Sequence, residues 1–191
     1  LEQALPEATG GFLPDDSGSV LAAKAFSDAF SETEKSNATL IVEVGKSLTA
    51  ADLTFDGTNK LLGTGIFVDA ATGIFKNVDV RNVRNGSNGG TAIAADNGSY
   101  LEIQNSAISN YDRRGVSLYN SRGAVYTTTI TGPGALGGSA VTYGLQVAGN
   151  TFMPVNVVGS AISGNQSATG TSEQSAGLFT FQDGGSPRVN V

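Results

Sequence analysis

From Thr39 onward, apolar positions come in short bursts, each closed by Gly, Asn, Ser or Thr. No segment there holds a 3.6-residue period, so the pattern predicts short strands joined by tight corners. The bursts repeat. Gly65-Ile-Phe-Val-Asp-Ala-Ala-Thr-Gly73-Ile-Phe75 aligns with Gly90-Thr-Ala-Ile-Ala-Ala-Asp-Asn-Gly98-Ser-Tyr100 and then with Gly115-Val-Ser-Leu-Tyr-Asn-Ser-Arg-Gly123-Ala-Val125, a shift of 25 residues each time. Looser echoes follow at Gly144-Leu-Gln-Val and Gly177-Leu-Phe-Thr-Phe. A second series, Asn82-Val-Arg-Asn85, Ala107-Ile-Ser-Asn110, Thr129-Ile-Thr-Gly132 and Ala161-Ile-Ser-Gly164, marks the other half of each unit.

A unit of about 25 residues holding two or three strands suits one turn of a three-sheet solenoid. The predicted fold is all-β, a right-handed single-stranded parallel β-helix spanning residues 39–191. Each coil buries its inward side chains only when the next one stacks on it. The 25-residue register predicts inward ladders of Val68/Ile93/Leu118, Phe75/Tyr100/Val125 and Val83/Ile108/Ile130/Ile162, with Asn85 and Asn110 sharing a corner. Glycine is expected at corners of positive φ or where coils approach closely. Thr39–Val44 and Leu53–Phe55 read as the first strands.

The ends of such a stack expose unpaired edges. Residues 1–38 are expected to form an N-terminal arm and a capping helix, whose stripe is Leu21, Ala25, Phe26, Ala29 and Phe30, with Asp15 and Asp16 at its start. At the other end, Ser-Pro-Arg-Val-Asn-Val191 offers strand sequence without a cover. Either the chain is a truncated piece, or this edge is covered by another chain, so further copies docking head to tail are one expected partner.

Composition narrows the chemistry. The chain has 26 Gly and no Cys, Trp or His, and 15% of its residues are charged, with a formal net charge of −6. Without Cys or His it lacks thiolate nucleophiles, the commonest general base and the usual zinc ligands. The acidic balance argues against nucleic acid or an anionic membrane as main partner, and no apolar run approaches the length of a membrane span. Four Asn-x-Ser/Thr triplets begin at Asn37, Asn85, Asn97 and Asn165. A chain rich in Asn, Ser and Thr generates such triplets by chance.

An acidic pair, an Ala-rich helix, a hydrophobic strand and coils with Asn corners resemble the pectate-lyase-like right-handed β-helix superfamily over about residues 15–191. The resemblance is architectural. It implies a spread of roles, from polysaccharide lyases, galacturonases and epimerases to tailspikes, adhesins and structural proteins. Galacturonase sites in that superfamily carry a His motif, which this chain lacks.

Two features stand out as candidate chemistry. Five of the six arginines, Arg81, Arg84, Arg113, Arg114 and Arg122, lie within residues 81–122 and are expected to fall in two adjacent coils. They could bind carboxylate or sulfate groups, or pair with Asp79, Asp96 and Asp112. Two coils also swell, at Pro133–Tyr143 and Asn165–Ala176, and both insertions should leave the same corner and lie side by side. The expected ligand-binding residues are Arg81, Arg84, Arg113, Arg114, Tyr143, Asn165 and Gln166, with polysaccharide as the second expected partner.

Lyase chemistry would need a base and a carboxylate-neutralising group. Tyr111, Asp112, Arg113 and Arg114 are its catalytic candidates. Tyr119 could also serve as base, and Asp96 with Asp112 could hold a calcium ion. No other cofactor is expected. The expected function is an extracellular, cell-surface or virion-surface structural or adhesive β-helix, serving as a filament subunit or a carbohydrate-binding stem. The alternative is a polysaccharide lyase or epimerase acting on acidic polysaccharide.

Overall fold

A computed structural model describes residues 39–43, 45–86, 89–135, 141–149, 154–167, 174–182 and 188–191. The expected arm and capping helix lie outside the described residues. The rest is a right-handed parallel β-helix. Its first coil is β1 (Leu40–Val42), β2 (Ser47–Ala51) and β3 (Thr54–Asp56). The second is β4 (Thr64–Asp69), β5 (Thr72–Lys76) and β6 (Asp79–Arg81), and the third β7 (Thr91–Asp96), β8 (Tyr100–Gln104) and β9 (Ala107–Ser109). The fourth is β10 (Arg114–Tyr119), β11 (Arg122–Tyr126) and β12 (Thr129–Ala135), and the fifth β13 (Tyr143–Gly149), β14 (Pro154–Val158) and β15 (Ala161–Gln166). β16 (Ala176–Gln182) and β17 (Arg188–Asn190) open a sixth.

Every strand pairs in parallel with its equivalent one coil away, giving sheet A (β1-β4-β7-β10-β13-β16), sheet B (β2-β5-β8-β11-β14-β17) and sheet C (β3-β6-β9-β12-β15). The alternation of buried and exposed positions turns one side of each sheet inward. The resulting ladders correct the expected ones. In sheet A they are Leu40/Ile66/Ile93/Val116/Leu145/Leu178 and Val42/Val68/Ala95/Leu118/Val147/Thr180. In sheet B, Phe75 stacks on Ile103, then Val125, then Val157, while Tyr100 faces outward opposite Thr72 and Arg122. In sheet C, Phe55/Val80/Ile108/Ile130/Ile162 form the column, with Val80 standing where Val83 was expected.

Corner lengths account for the slip. Between sheets B and C two residues always intervene: 52–53, 77–78, 105–106, 127–128 and 159–160. Counted from the Asp56/Arg81/Ser109/Thr131/Ser163 column, the stretch between sheets C and A runs from four residues (110–113) to twelve (164–175). Ile66 is therefore 27 residues from Ile93, and Ile93 is 23 from Val116. A fixed period of 25 matches the second coil to the fourth and misplaces the third.

The constant corner has a physical basis. Its first residues, Asp52, Asn77, Asn105, Thr127 and Gly159, all have positive φ, between 48° and 60°. Behind them Ser106, Thr128 and Ser160 form a hydroxyl column. Each hydroxyl donates to its own coil (Ser106 Oγ to Gln104 O, 2.6 Å; Thr128 Oγ1 to Tyr126 O, 2.8 Å; Ser160 Oγ to Val158 O, 3.3 Å). Each also accepts from a backbone N–H of the preceding coil (Val78, 3.1 Å; Ser106, 3.4 Å; Thr128, 3.1 Å). Buried backbone donors that the sheets cannot reach are thereby satisfied.

The asparagine corner also shifts. Asn82 and Asn110 are the stacked pair, with Asn110 Nδ2 donating to Asn82 Oδ1. Asn85 instead accepts from the Gly89 N–H at 3.0 Å. Of the six repeat glycines, only Gly98 has positive φ (79°). Gly65, Gly73, Gly90, Gly115 and Gly123 serve close approach: a Cβ on Gly115 would sit 2.5 Å from Ile130 Cγ2 and 2.9 Å from Tyr111 Cε1.

Candidate functional site

The corner between sheets C and A gathers most of the candidate residues. After β9, Asn110 takes a left-handed turn (φ 53°) that swings Tyr111 into the core, where it is fully buried. Its hydroxyl donates to Asn165 Oδ1 at 2.8 Å, joining residues 54 apart in sequence. Burial pushes the Tyr111 phenol above its ordinary range, and the Asn165 bond offsets this only in part.

Asp112 follows, 4% exposed and the only buried charge among the described residues. Oδ1 accepts from Arg84 Nε at 2.7 Å, and Oδ2 accepts from the backbone N–H groups of Asn85 (2.7 Å) and Gly86 (2.8 Å). A carboxylate at this corner thus holds the preceding corner in place. Its pairing with Arg84 is one that the arginine distribution anticipates. The arginines spread over the second to fourth coils and not over two adjacent ones: Arg81 lies on the outer face of sheet C, bonded to Asp56 (2.9 Å) and Asp79 (2.7 Å), while Arg122 begins β11.

Arg113 and Arg114 are placed differently. The Arg113 backbone locks the corner, its N–H donating to Gly90 O and its carbonyl accepting from the Tyr143 N–H, both at 2.8 Å. Its guanidinium lies 5.8 Å from the Tyr143 ring centroid, and its buried Nε has no hydrogen-bond partner among the described residues. Arg114 begins β10, half-buried, with Nε donating to Gln146 Oε1. Burial and the neighbouring Arg113 charge lower its pKa. Among the described residues neither arginine is paired with a carboxylate.

The two enlarged segments do leave this same corner, between β12 and β13 and between β15 and β16. Their described parts are tied side by side. Gly134 pairs with Asn165 and Ala135 with Gln166. The Gln166 N–H donates to Thr142 Oγ1 (3.1 Å), and the Thr142 N–H donates to Ser175 Oγ (2.8 Å). Tyr111, Asp112, Arg84, Arg113, Arg114, Tyr143, Asn165 and Gln166 therefore line one seam.

Residues that sequence reading missed continue this seam across sheet A. Phe179 stacks on Tyr143 with centroids 4.4 Å apart, and Phe181 lies 6.5 Å beyond it, the rings within 18° and 14° of parallel. The signal was parity: in Leu178-Phe-Thr-Phe181 the aromatic residues occupy alternate positions, opposite in phase to the inward Leu178 and Thr180.

Among the described residues no group of three or more carboxylates marks a metal site. Asp96 ends β7 and Asp112 precedes β10, at opposite ends of the sheet A strands, so they do not share one cation. Comparison with protein-family models, curated proteins and solved structures finds no match.

Proposed function

We propose that this chain is the stem of an extracellular or surface-exposed structural protein, adhering to saccharide through its C–A seam and not itself catalytic. Asp112 carries the reading. Three donors from residues 84–86 occupy its oxygens, so the one buried charge of the seam fastens coil to coil and is not presented to a substrate. A lyase or epimerase here would ask Tyr111 to accept a proton, yet that phenol is buried and raised in pKa. Kinship with the pectate-lyase-like superfamily, which includes tailspikes and adhesins, belongs to the same proposal and rests on the coil architecture.

The test is a panel of polyuronates incubated with purified protein, followed by the absorbance of the unsaturated product. No product is expected, and Asp112→Ala should lower unfolding stability by about 2–4 kcal/mol in urea titrations, the cost of stranding buried donors. Product that disappears in Arg113→Ala would overturn the reading. Self-association through the C-terminal edge belongs to the same proposal. Leu178 is 38% exposed, whereas its ladder neighbour Leu145 is fully buried. Sedimentation at rising concentration should show larger species, reduced in Val189→Lys; a monomer throughout removes the assembly part.

A further inference from the structure

One outward column of sheet B runs through coils three to six. Tyr100 pairs with Arg122, Gly123 with Val155, and Pro154 with Arg188, so Tyr100, Arg122, Pro154 and Arg188 follow one another in register. Arg122, Pro154 and Arg188 are exposed, and Tyr100 is half-buried. The column thus alternates a ring with a guanidinium. On the described outward positions of sheet B stand three cations, Lys76, Arg122 and Arg188, and one carboxylate, Glu102, although the chain carries a net charge of −6.

Neighbouring groups fix the start of this column. The Tyr100 hydroxyl donates to Glu102 Oε2 at 2.6 Å, and Gln104 Nε2 donates to Glu102 Oε1. The carboxylate is thereby engaged along its own strand, and the Tyr100 ring is already held when a ligand arrives, which lowers the ordering cost of binding. The Arg122 guanidinium lies 5.9 Å from the centroid of that ring and is in no ion pair among the described residues. Ring and charge make one amphipathic surface. In the next column Asn190 Nδ2 donates to Asn156 Oδ1 at 2.8 Å, placing amide groups beside it.

We propose that this face binds an acidic saccharide laid parallel to the helix axis, its sugar rings against Tyr100 and Pro154 and its anionic groups on Arg122 and Arg188. The site is separate from the C–A seam and goes beyond the stem reading. Aromatic rings give large contact area to the C–H face of a sugar at little cost in side-chain entropy. A guanidinium fork takes carboxylate and sulfate oxygens alike. Arg122 and Arg188 are two coils apart, about 9.6 Å along the axis, close to the length of two linked pyranose rings. A ligand with one anionic group on every second sugar meets both arginines and sets its neutral sugars on the two rings. A charge on each sugar would also bring anions against Tyr100 and Pro154, where no cation meets them, and nearer the acidic remainder of the chain.

The experiment is calorimetric titration of the full chain with two probes that carry their charge on every second sugar. One is a hyaluronan oligosaccharide, with carboxylates, and the other a κ-carrageenan oligosaccharide, with sulfates. At least one should bind, and the tighter of the two identifies the anion. Desulfated carrageenan and oligogalacturonate, charged on every sugar, should each bind at least about fivefold more weakly. Arg122→Ala and Arg188→Ala should each weaken binding by about fivefold or more, whereas Arg81→Ala, on sheet C, should leave it unchanged. All three side chains are exposed, and circular dichroism melting confirms that the variants fold. Absence of binding by both probes, equal binding of oligogalacturonate or oligothymidylate, or equal weakening by Arg81→Ala would overturn the site. Binding that survives both Arg122→Ala and Arg188→Ala overturns it as well, and assigns the saccharide to the C–A seam instead.

Discussion

At the corners, asparagine joins a backbone need to a side-chain bond. Asn77, Asn82, Asn97 and Asn110 all have φ between 53° and 59°. Their Nδ2 groups donate to the preceding coil: Asn77 to Asp52 (3.2 Å), Asn82 to Asp56 (2.7 Å), Asn97 to Asp69 (2.7 Å) and Asn110 to Asn82. Asn tolerates the left-handed region because its short amide bonds locally. Thr127 occupies the same kind of position at φ 48° with a branched Cβ and an exposed side chain, so its backbone is strained. Thr127→Asn should therefore raise stability by about 1 kcal/mol, measured as a higher urea midpoint at unchanged slope. Asp56 gives a pH prediction. Partial burial alone would raise its pKa, but hydrogen bonds from Asn82, Thr58 and Arg81 outweigh this and hold the carboxyl well below the carboxylate range. Its stabilising effect is then complete above the unfolded value of about 3.9 and is lost as pH falls toward the folded one. Between about pH 2 and 4 the native chain should lose stability more steeply than Asp56→Asn, as followed by urea midpoints across that range.

At the scale of strands and corners, the apolar alternation made most of the strands legible, and the Gly and Asn punctuation located many corners. β2 escaped, because Ser47-Leu-Thr-Ala-Ala51 has one large apolar residue and reads as loop. Register escaped too, since the sequence does not show which residues of a corner bulge outward. Five residues fewer at 110–113 than at 82–90 were enough to slide the third coil. The candidate site was legible where it relied on clustered arginines and paired insertions. It was hidden where neighbours decide: that Tyr111 turns inward and Asp112 is consumed by backbone donors cannot be read from the string Tyr-Asp-Arg-Arg. Close approach at glycine is testable at this scale. Gly115→Ala places a methyl against Ile130, Tyr111 and the Gly144 carbonyl (2.5, 2.9 and 2.7 Å). It should cost about 1–3 kcal/mol, read from chemical denaturation.

For the whole molecule, stability is a sum over stacked neighbours. Ile66, Ile93, Val116 and Leu145 are fully buried along one ladder, whereas Leu178 is not. Amide hydrogen exchange should accordingly show the highest protection in β7, β8, β10 and β11, falling toward β16 and β17. Uniform protection along the described coils would contradict this one-dimensional picture. The fixed step between sheets B and C, set against the elastic one between C and A, has a consequence for how such a chain can change. The first works as a hinge pin and the second as an expansion joint. A foreign peptide of about a dozen residues grafted at 136–140 should leave the melting temperature nearly unchanged, because loop closure grows only slowly with length. The same graft at 105–106 should prevent folding. New sequence, and with it new specificity, can enter along one line of the molecule while the wall beneath stays the same.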